Sequence, residues 1–114
     1  MNDRSVIDSN SLAVLQEAMG EDFAELVPIF IESTEDILDC LLKAFIQGDV
    51  ESFTREAHSL KSSSANLGGL VLSKMGAKLE TAGHQGQLPE SEAFIQPLKE
   101  TFALMTKELQ QYKN

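Results

Sequence analysis

Two residues of this chain, His58 and Lys61, have the types and the spacing to do covalent chemistry. They lie in the stretch AHSLKSSSANLGG, which covers residues 57–69. Read as a helix that turns about 100° per residue, this stretch places the imidazole and the ammonium on neighbouring turns of one face. A neutral imidazole nitrogen is a good nucleophile near neutral pH, because an unperturbed histidine titrates near ~6.5. A covalent intermediate with a negatively charged group is the chemistry that this pair would support.

The same helical wheel separates this pair from a face that we expect to be buried. That face carries Phe53, Ala57, Leu60, Ser64 and Leu67. His58 points the other way, so its ring is predicted to lie in solvent. Its neighbours on the outer face are one cation and three short side chains: Lys61, Thr54, Ser62 and Ala65. Short side chains there would let a second protein bring a phosphoryl donor close to the imidazole, whose transferring charge the lysine would stabilise. The spacing alone fits an ordinary exposed helix surface as well as a reactive pair.

Amphipathic helices must position this pair. Apolar residues recur every three or four positions, and no strand alternation is convincing. We predict a short first helix that Asp8 or Ser9 caps and that ends at Gly20. Four longer helices are predicted over residues 22–46, 49–67, 70–83 and 91–112, with Pro28 and Pro97 as sites of a bend or a later start. We therefore predict an all-α fold, an antiparallel four-helix bundle with an additional short N-terminal helix, in a single domain over residues 1–114.

Composition narrows the possible partners and compartments. The chain has 18 acidic and 9 basic residues and a formal net charge of -9, which disfavours nucleic acid and anionic membrane surfaces as partners. No apolar run is long enough to span a membrane, and the first five residues lack the apolar core of a signal peptide. Cys40 is the only cysteine, which favours a reducing cytoplasm, and its apolar surroundings predict that it is buried. We expect a monomer.

Residues 57–69 resemble the signature of histidine-containing phosphotransfer (HPt) domains, which reads approximately A-H-x-L-K-G-S-S-x-x-L-G-A. The chain departs from it only by Ser62, where glycine is common, and by Gly69, where alanine is common. Both replacements stay small. The resemblance covers most of the chain, because the family is a four-helix bundle with its histidine on the second bundle helix. The positions that match are Ala57, His58, Leu60, Lys61, Ser63, Ser64, Leu67 and Gly68.

The resemblance implies a role for each residue of the site. His58 would be the phosphorylated residue and Lys61 the neighbour that stabilises charge, while Thr54, Ser62 and Ala65 would contact the partner. The phosphoryl group would come from an aspartate of a receiver domain and pass to another receiver. The partners implied are therefore the receiver domains of hybrid sensor kinases and response regulators. The chain would need no cofactor of its own, because the Mg²⁺ belongs to the receiver.

Other functions are less well supported by the sequence. There is no nucleotide-binding loop and no protein-kinase signature, so we expect a stoichiometric phosphocarrier rather than an enzyme. His84 fits an ordinary helix end, and its spacing of four from Glu80 is weak evidence for a metal. The alternative from another class is a helical interaction module that binds a receiver, kinase or enzyme without ever carrying phosphate. Met1 and a domain that fills the chain favour a free-standing protein over an excised module.

Overall fold

A computed structural model describes residues 6–111, and every regular element in that range is helical. The predicted all-α fold is confirmed. α2 packs against α3, α3 against α4 and α4 against α5, and α5 closes the bundle against α2, while α1 lies on α2. The elements are α1 (Ser9–Met19), α2 (Asp22–Gln47), α3 (Val50–Asn66), α4 (Leu70–His84) and α5 (Ile95–Gln111), with a single 3₁₀ turn at Glu92–Phe94. None of the helices in residues 6–111 is both long enough and apolar enough to cross a bilayer.

The end of α2 and the starts of α3 and α5 follow the predicted local chemistry, whereas the Asp8 side chain at the start of α1 forms no capping hydrogen bond. Gly48 ends α2 with φ 70°, a left-handed conformation that glycine adopts without strain. Asp49 caps α3, because its carboxylate accepts a hydrogen bond from the backbone N–H of Ser52 at 3.1 Å. Pro97 lies in the first turn of α5, where its missing N–H is not needed, and so α5 begins later than residue 91. The predicted end of this helix at Tyr112 lies outside the described residues.

The core confirms the predicted buried face of α3. Phe53, Ala57, Leu60, Ser64 and Leu67 are all buried. They pack with apolar side chains from the other helices. The fully buried ones among these side chains are Leu12, Leu41, Leu72, Leu98, Met105 and Leu109.

The predicted burial of Cys40 is wrong. Cys40 is exposed, because it sits at the edge of the apolar stripe of α2, between exposed Asp39 and buried Leu41. On α4 the apolar residues Met75, Leu79 and Ala82 are half-buried, and Met75 and Leu79 pack against the core. Besides Leu72, the buried positions of α4 are Gly76, Glu80 and Gly83, a face that carries almost no apolar side chain.

Candidate functional site

Two glycines let α4 approach α3 closely at the site. A Cβ built on Gly76 would lie 2.9 Å from the backbone nitrogen of Lys61, and one on Gly83 would collide with the hydroxyl of Thr54. On the turn of α4 before Gly76, the Ser73 hydroxyl donates a hydrogen bond to the carbonyl oxygen of Lys61 at 2.9 Å. The close packing brings residue 80 of α4 within reach of the outer face of α3.

His58 lies on that outer face, as predicted. Its side chain is 58% exposed, and its Nδ1 lies 2.7 Å from Oε2 of Glu80. A carboxylate can only accept a hydrogen bond, so Nδ1 carries the proton that it donates. In the neutral ring the other nitrogen, Nε2, is then unprotonated and holds the lone pair.

Lys61 binds the other oxygen of the same carboxylate. Its Nζ lies 2.7 Å from Oε1 of Glu80, whose side chain is only 12% exposed. The hydrogen bond from Lys61 and then the one from His58 lower the pKa of Glu80 from 4.5 to about 2, against the opposing effect of burial. Glu80 is therefore ionised at neutral pH, and it fixes both the imidazole and the ammonium from a different helix.

A second histidine approaches this carboxylate. His84 is the last residue of α4, and its Nε2 lies 3.5 Å from Oε2 of Glu80, the oxygen that also binds His58. The His84 side chain is 68% exposed. Both imidazoles line an open cleft of about 800 Å³ between α3 and α4, whose walls are Val50, Glu51, Thr54, Arg55, His58, Glu80, Gly83 and His84.

The three predicted contact residues occupy different surroundings. Ser62 and Ala65 are exposed on the same side of α3 as His58, toward the C-terminal end of the helix. Thr54 is half-buried at the bottom of the cleft, and its hydroxyl donates to the carbonyl oxygen of Val50 at 2.7 Å. Ser62 and Ala65 therefore offer surface to a partner, whereas Thr54 mainly packs against Gly83.

Glu80 is the residue of the site that sequence reasoning assigned no role. One signal was present: a carboxylate lies between two glycines at spacings of four and three, which places all three on one helix face. Glycines on a buried face indicate a close helix contact, and an acidic residue between them needs a cation from the neighbouring helix. No group of three or more histidine, cysteine, aspartate or glutamate side chains in residues 6–111 is arranged to hold a metal ion.

Both the sequence and the fold match known proteins. A family model described as the Hpt domain matches residues 25–114. The fold is similar to the crystal structure of histidine-containing phosphotransfer protein B (HptB) from Pseudomonas aeruginosa PAO1, with a TM-score of 0.90, 29% sequence identity and coverage of 96% of each chain. A search of curated proteins found no match. The chain belongs to the Hpt family, and is thus a phosphocarrier of phosphorelay signalling rather than a classical enzyme.

Proposed function

We propose that His58 carries the phosphoryl group, receiving it on Nε2 from an aspartyl phosphate of one receiver domain and passing it to the aspartate of another. The observation that supports this most directly is the contact of 2.7 Å between Nδ1 of His58 and Glu80, on a ring that is 58% exposed. With Nδ1 bound to Glu80, the lone pair of the neutral ring is on Nε2, and the exposure of the ring lets a partner reach it.

In the proposed step, the lone pair on Nε2 attacks phosphorus, and the bond from phosphorus to the receiver's aspartate oxygen breaks. The aspartate leaves as a carboxylate, and the phosphorylated ring keeps its Nδ1 proton and becomes a cation. Glu80 is ionised and accepts the hydrogen bond from Nδ1, so it stabilises the positive charge that develops on the ring. No base has to remove a proton before the attack, and transfer to the next receiver is the reverse of these events.

Lys61 is the group that we propose stabilises the transferring phosphoryl oxygens. It lies one turn from His58 on a long, flexible side chain that is 36% exposed. Its contact with Glu80 holds the ammonium beside the imidazole before the phosphoryl group arrives. The Mg²⁺ expected in the transfer belongs to the receiver in this proposal, and the chain does not phosphorylate itself from ATP.

The receiver would dock over Ser62 and Ala65, which are exposed beside His58. Beyond them lies an apolar groove of about 500 Å³ between α1, α2 and the end of α3, bordered by Ile29, which is 63% exposed. An apolar side chain of the receiver would fit there while its aspartate faces His58. Partners of this proposal are receiver domains of hybrid sensor kinases and response regulators, and the carrier is a cytoplasmic monomer with residues 1–114 as one domain.

The test is transfer from a phosphorylated receiver. The wild-type chain and His58→Gln are each incubated with receivers labelled at the phosphoryl group, and the label is mapped by mass spectrometry. We expect label on residue 58 of the wild type, none on His58→Gln, and equal helicity of both by circular dichroism. Stable complexes with receivers and no label on His58 would favour the phosphate-independent interaction module instead.

A further inference from the structure

Arg55 is a cationic side chain of the site that has no role in the proposed transfer. It lies one turn before His58 on α3, as Lys61 lies one turn after it. Residues three apart on a helix are neighbours on its surface, so the two cations flank the imidazole. Arg55 lines the same cleft as His58, and it is the only lysine or arginine among residues 6–111 that does so.

The orientation of the His58 ring turns its reactive nitrogen toward the Arg55 side of α3. Around the helix axis, Lys61 and Arg55 diverge from His58 by roughly 60° in opposite senses. Glu80 approaches on the Lys61 side, because its two oxygens bind Nδ1 of His58 and Nζ of Lys61. The two nitrogens of an imidazole point to nearly opposite sides of the ring, so Nε2 faces away from Glu80. A phosphoryl group on Nε2 would therefore extend toward the side that carries Arg55.

The two cations differ in how firmly they are held. Nζ of Lys61 lies 2.7 Å from a carboxylate oxygen of Glu80, whose side chain is only 12% exposed. Nη2 of Arg55 donates to the hydroxyl of Ser52 at 3.2 Å, and its Nε lies 3.8 Å from Glu56. The Arg55 side chain is 64% exposed, and solvent-exposed contacts of this kind contribute little free energy. Arg55 can therefore turn toward a new anion at a smaller cost than Lys61 can.

A guanidinium suits the group that His58 would carry. Its planar fork offers parallel N–H groups that bind two phosphoryl oxygens at once, whereas an ammonium binds as a point charge. Cβ atoms three residues apart on a helix are separated by about 5–6 Å, which the long side chain of arginine spans. Glu51 is exposed in the same cleft, four residues before Arg55. The guanidinium would also offset the repulsion between this carboxylate and the phosphoryl group.

We propose that Arg55 is a second catalytic residue of the transfer, which binds the phosphoryl oxygens from the side of His58 opposite to Lys61. This inference rests on the proposed function, because it needs phosphoryl transfer to Nε2 of His58. The transition state of phosphoryl transfer spreads negative charge over three oxygens. A guanidinium and an ammonium on opposite sides of the ring stabilise that charge, in addition to the Mg²⁺ expected on the receiver.

The first test uses phosphoramidate, a small donor that needs no docking surface. Nε2 of His58 attacks its phosphorus, the bond from phosphorus to nitrogen breaks, and ammonia leaves. The rate of labelling of His58 is measured in the full chain at low and high salt, and helicity is checked by circular dichroism. Arg55→Ala should react about ten-fold more slowly than the wild type, a smaller loss than for a donor in a water-excluded site. A direct contact keeps most of this effect at high salt, whereas an effect of net charge disappears.

Two matched variants separate a specific contact from a general effect of charge. Lys78→Ala also removes one exposed cation, on α4 but outside the cleft, and it should react at the rate of the wild type. Arg55→Lys keeps the positive charge but lacks the planar fork, and it should recover part of the lost rate and not all of it.

The outcomes separate this inference from the function on which it rests. Label that never reaches His58 from a phosphorylated receiver overturns both. Label on His58 with equal phosphoramidate rates for the wild type and Arg55→Ala overturns the role of Arg55 alone. A loss of rate that Lys78→Ala reproduces, or that vanishes at high salt, overturns it as well, because net charge would then be the cause. A loss confined to receiver binding would make Arg55 a docking contact instead.

Discussion

Replacing Glu80 with glutamine removes the charge that ties α3 to α4 while keeping the size of the side chain. Pairing with Lys61 and His58 lowers the pKa of Glu80 from 4.5 to about 2. Because a pKa difference of one corresponds to about 1.36 kcal/mol, lowering the pKa of Glu80 by about 2.5 corresponds to about 3 kcal/mol of pH-dependent stability. The side chains of Lys61 and His58 are 36% and 58% exposed, so solvent screening reduces this figure, and we expect about 1–3 kcal/mol.

The sign of the effect follows from the lowered pKa of Glu80. A carboxylate that is more acidic in the folded state contributes its full stabilisation above its unfolded pKa, near 4.5. The contribution is lost as the pH falls toward about 2, where the folded protein also becomes protonated at Glu80. The wild type should therefore be more stable than Glu80→Gln at pH 6, and the difference should shrink to near zero between pH 5 and pH 2.

The assay is urea unfolding followed by circular dichroism at pH 6, 5, 3.5 and 2.5. Comparing free energies of unfolding between the two proteins at each pH cancels the titration of the other carboxylates. Glu35→Gln is the control, because Glu35 is an exposed carboxylate on α2, and its difference from the wild type should stay within about 0.5 kcal/mol. A difference between the wild type and Glu80→Gln that is equally large at pH 6 and pH 2.5 would refute the ion-pair reasoning.

Three further substitutions test the parts of the site separately. Lys61→Ala should slow transfer about ten-fold in rapid-mixing experiments without weakening receiver binding, and equal rates would remove Lys61 from the mechanism. Ser62→Tyr should weaken receiver binding about ten-fold by calorimetry, and unchanged affinity would place the docking surface elsewhere. Gly76→Ala should reduce the free energy of unfolding by about 1–3 kcal/mol, because its Cβ would meet the backbone of Lys61, despite the better helix propensity of alanine. A Gly76→Ala protein as stable as the wild type would mean that α3 and α4 separate without penalty.

Local patterns were enough to predict the helices and the orientation of His58. The stop at Gly48 and the cap at Asp49 depend on the dihedral angles and hydrogen bonds of neighbouring residues, and so they can be inferred from the sequence. The exposure of His58 follows from the apolar stripe of its own helix, which contains Phe53 and Leu60. The match to the Hpt family rests on the same local stretch and is confirmed over residues 25–114.

The buried face of α4 could not be predicted in the same way, because it depends on how closely α3 approaches. A helix that packs only through large side chains keeps its axis far from its neighbour, and Leu79 and Met75, which are half-buried against the core here, would then carry the whole contact. Gly76 instead lets the two backbones come close, which moves the contact line onto Glu80. Hydropathy assigns almost no weight to glycine, so the apolar pattern of α4 does not indicate that Gly76, Glu80 and Gly83 are buried.

The close contact of α3 and α4 explains why the orienting carboxylate comes from a second helix. His58 and Lys61 are three residues apart on α3, and their side chains diverge by roughly 60° around its axis. One carboxylate binds both only if it approaches from outside that helix, between the two side chains. Glu80 does so with one oxygen for each partner, at 2.7 Å in both cases. In the proposed transfer, the packing of two helices therefore orients the reactive nitrogen, and the spacing of α3 and α4 would determine the phosphotransfer chemistry as well as stability.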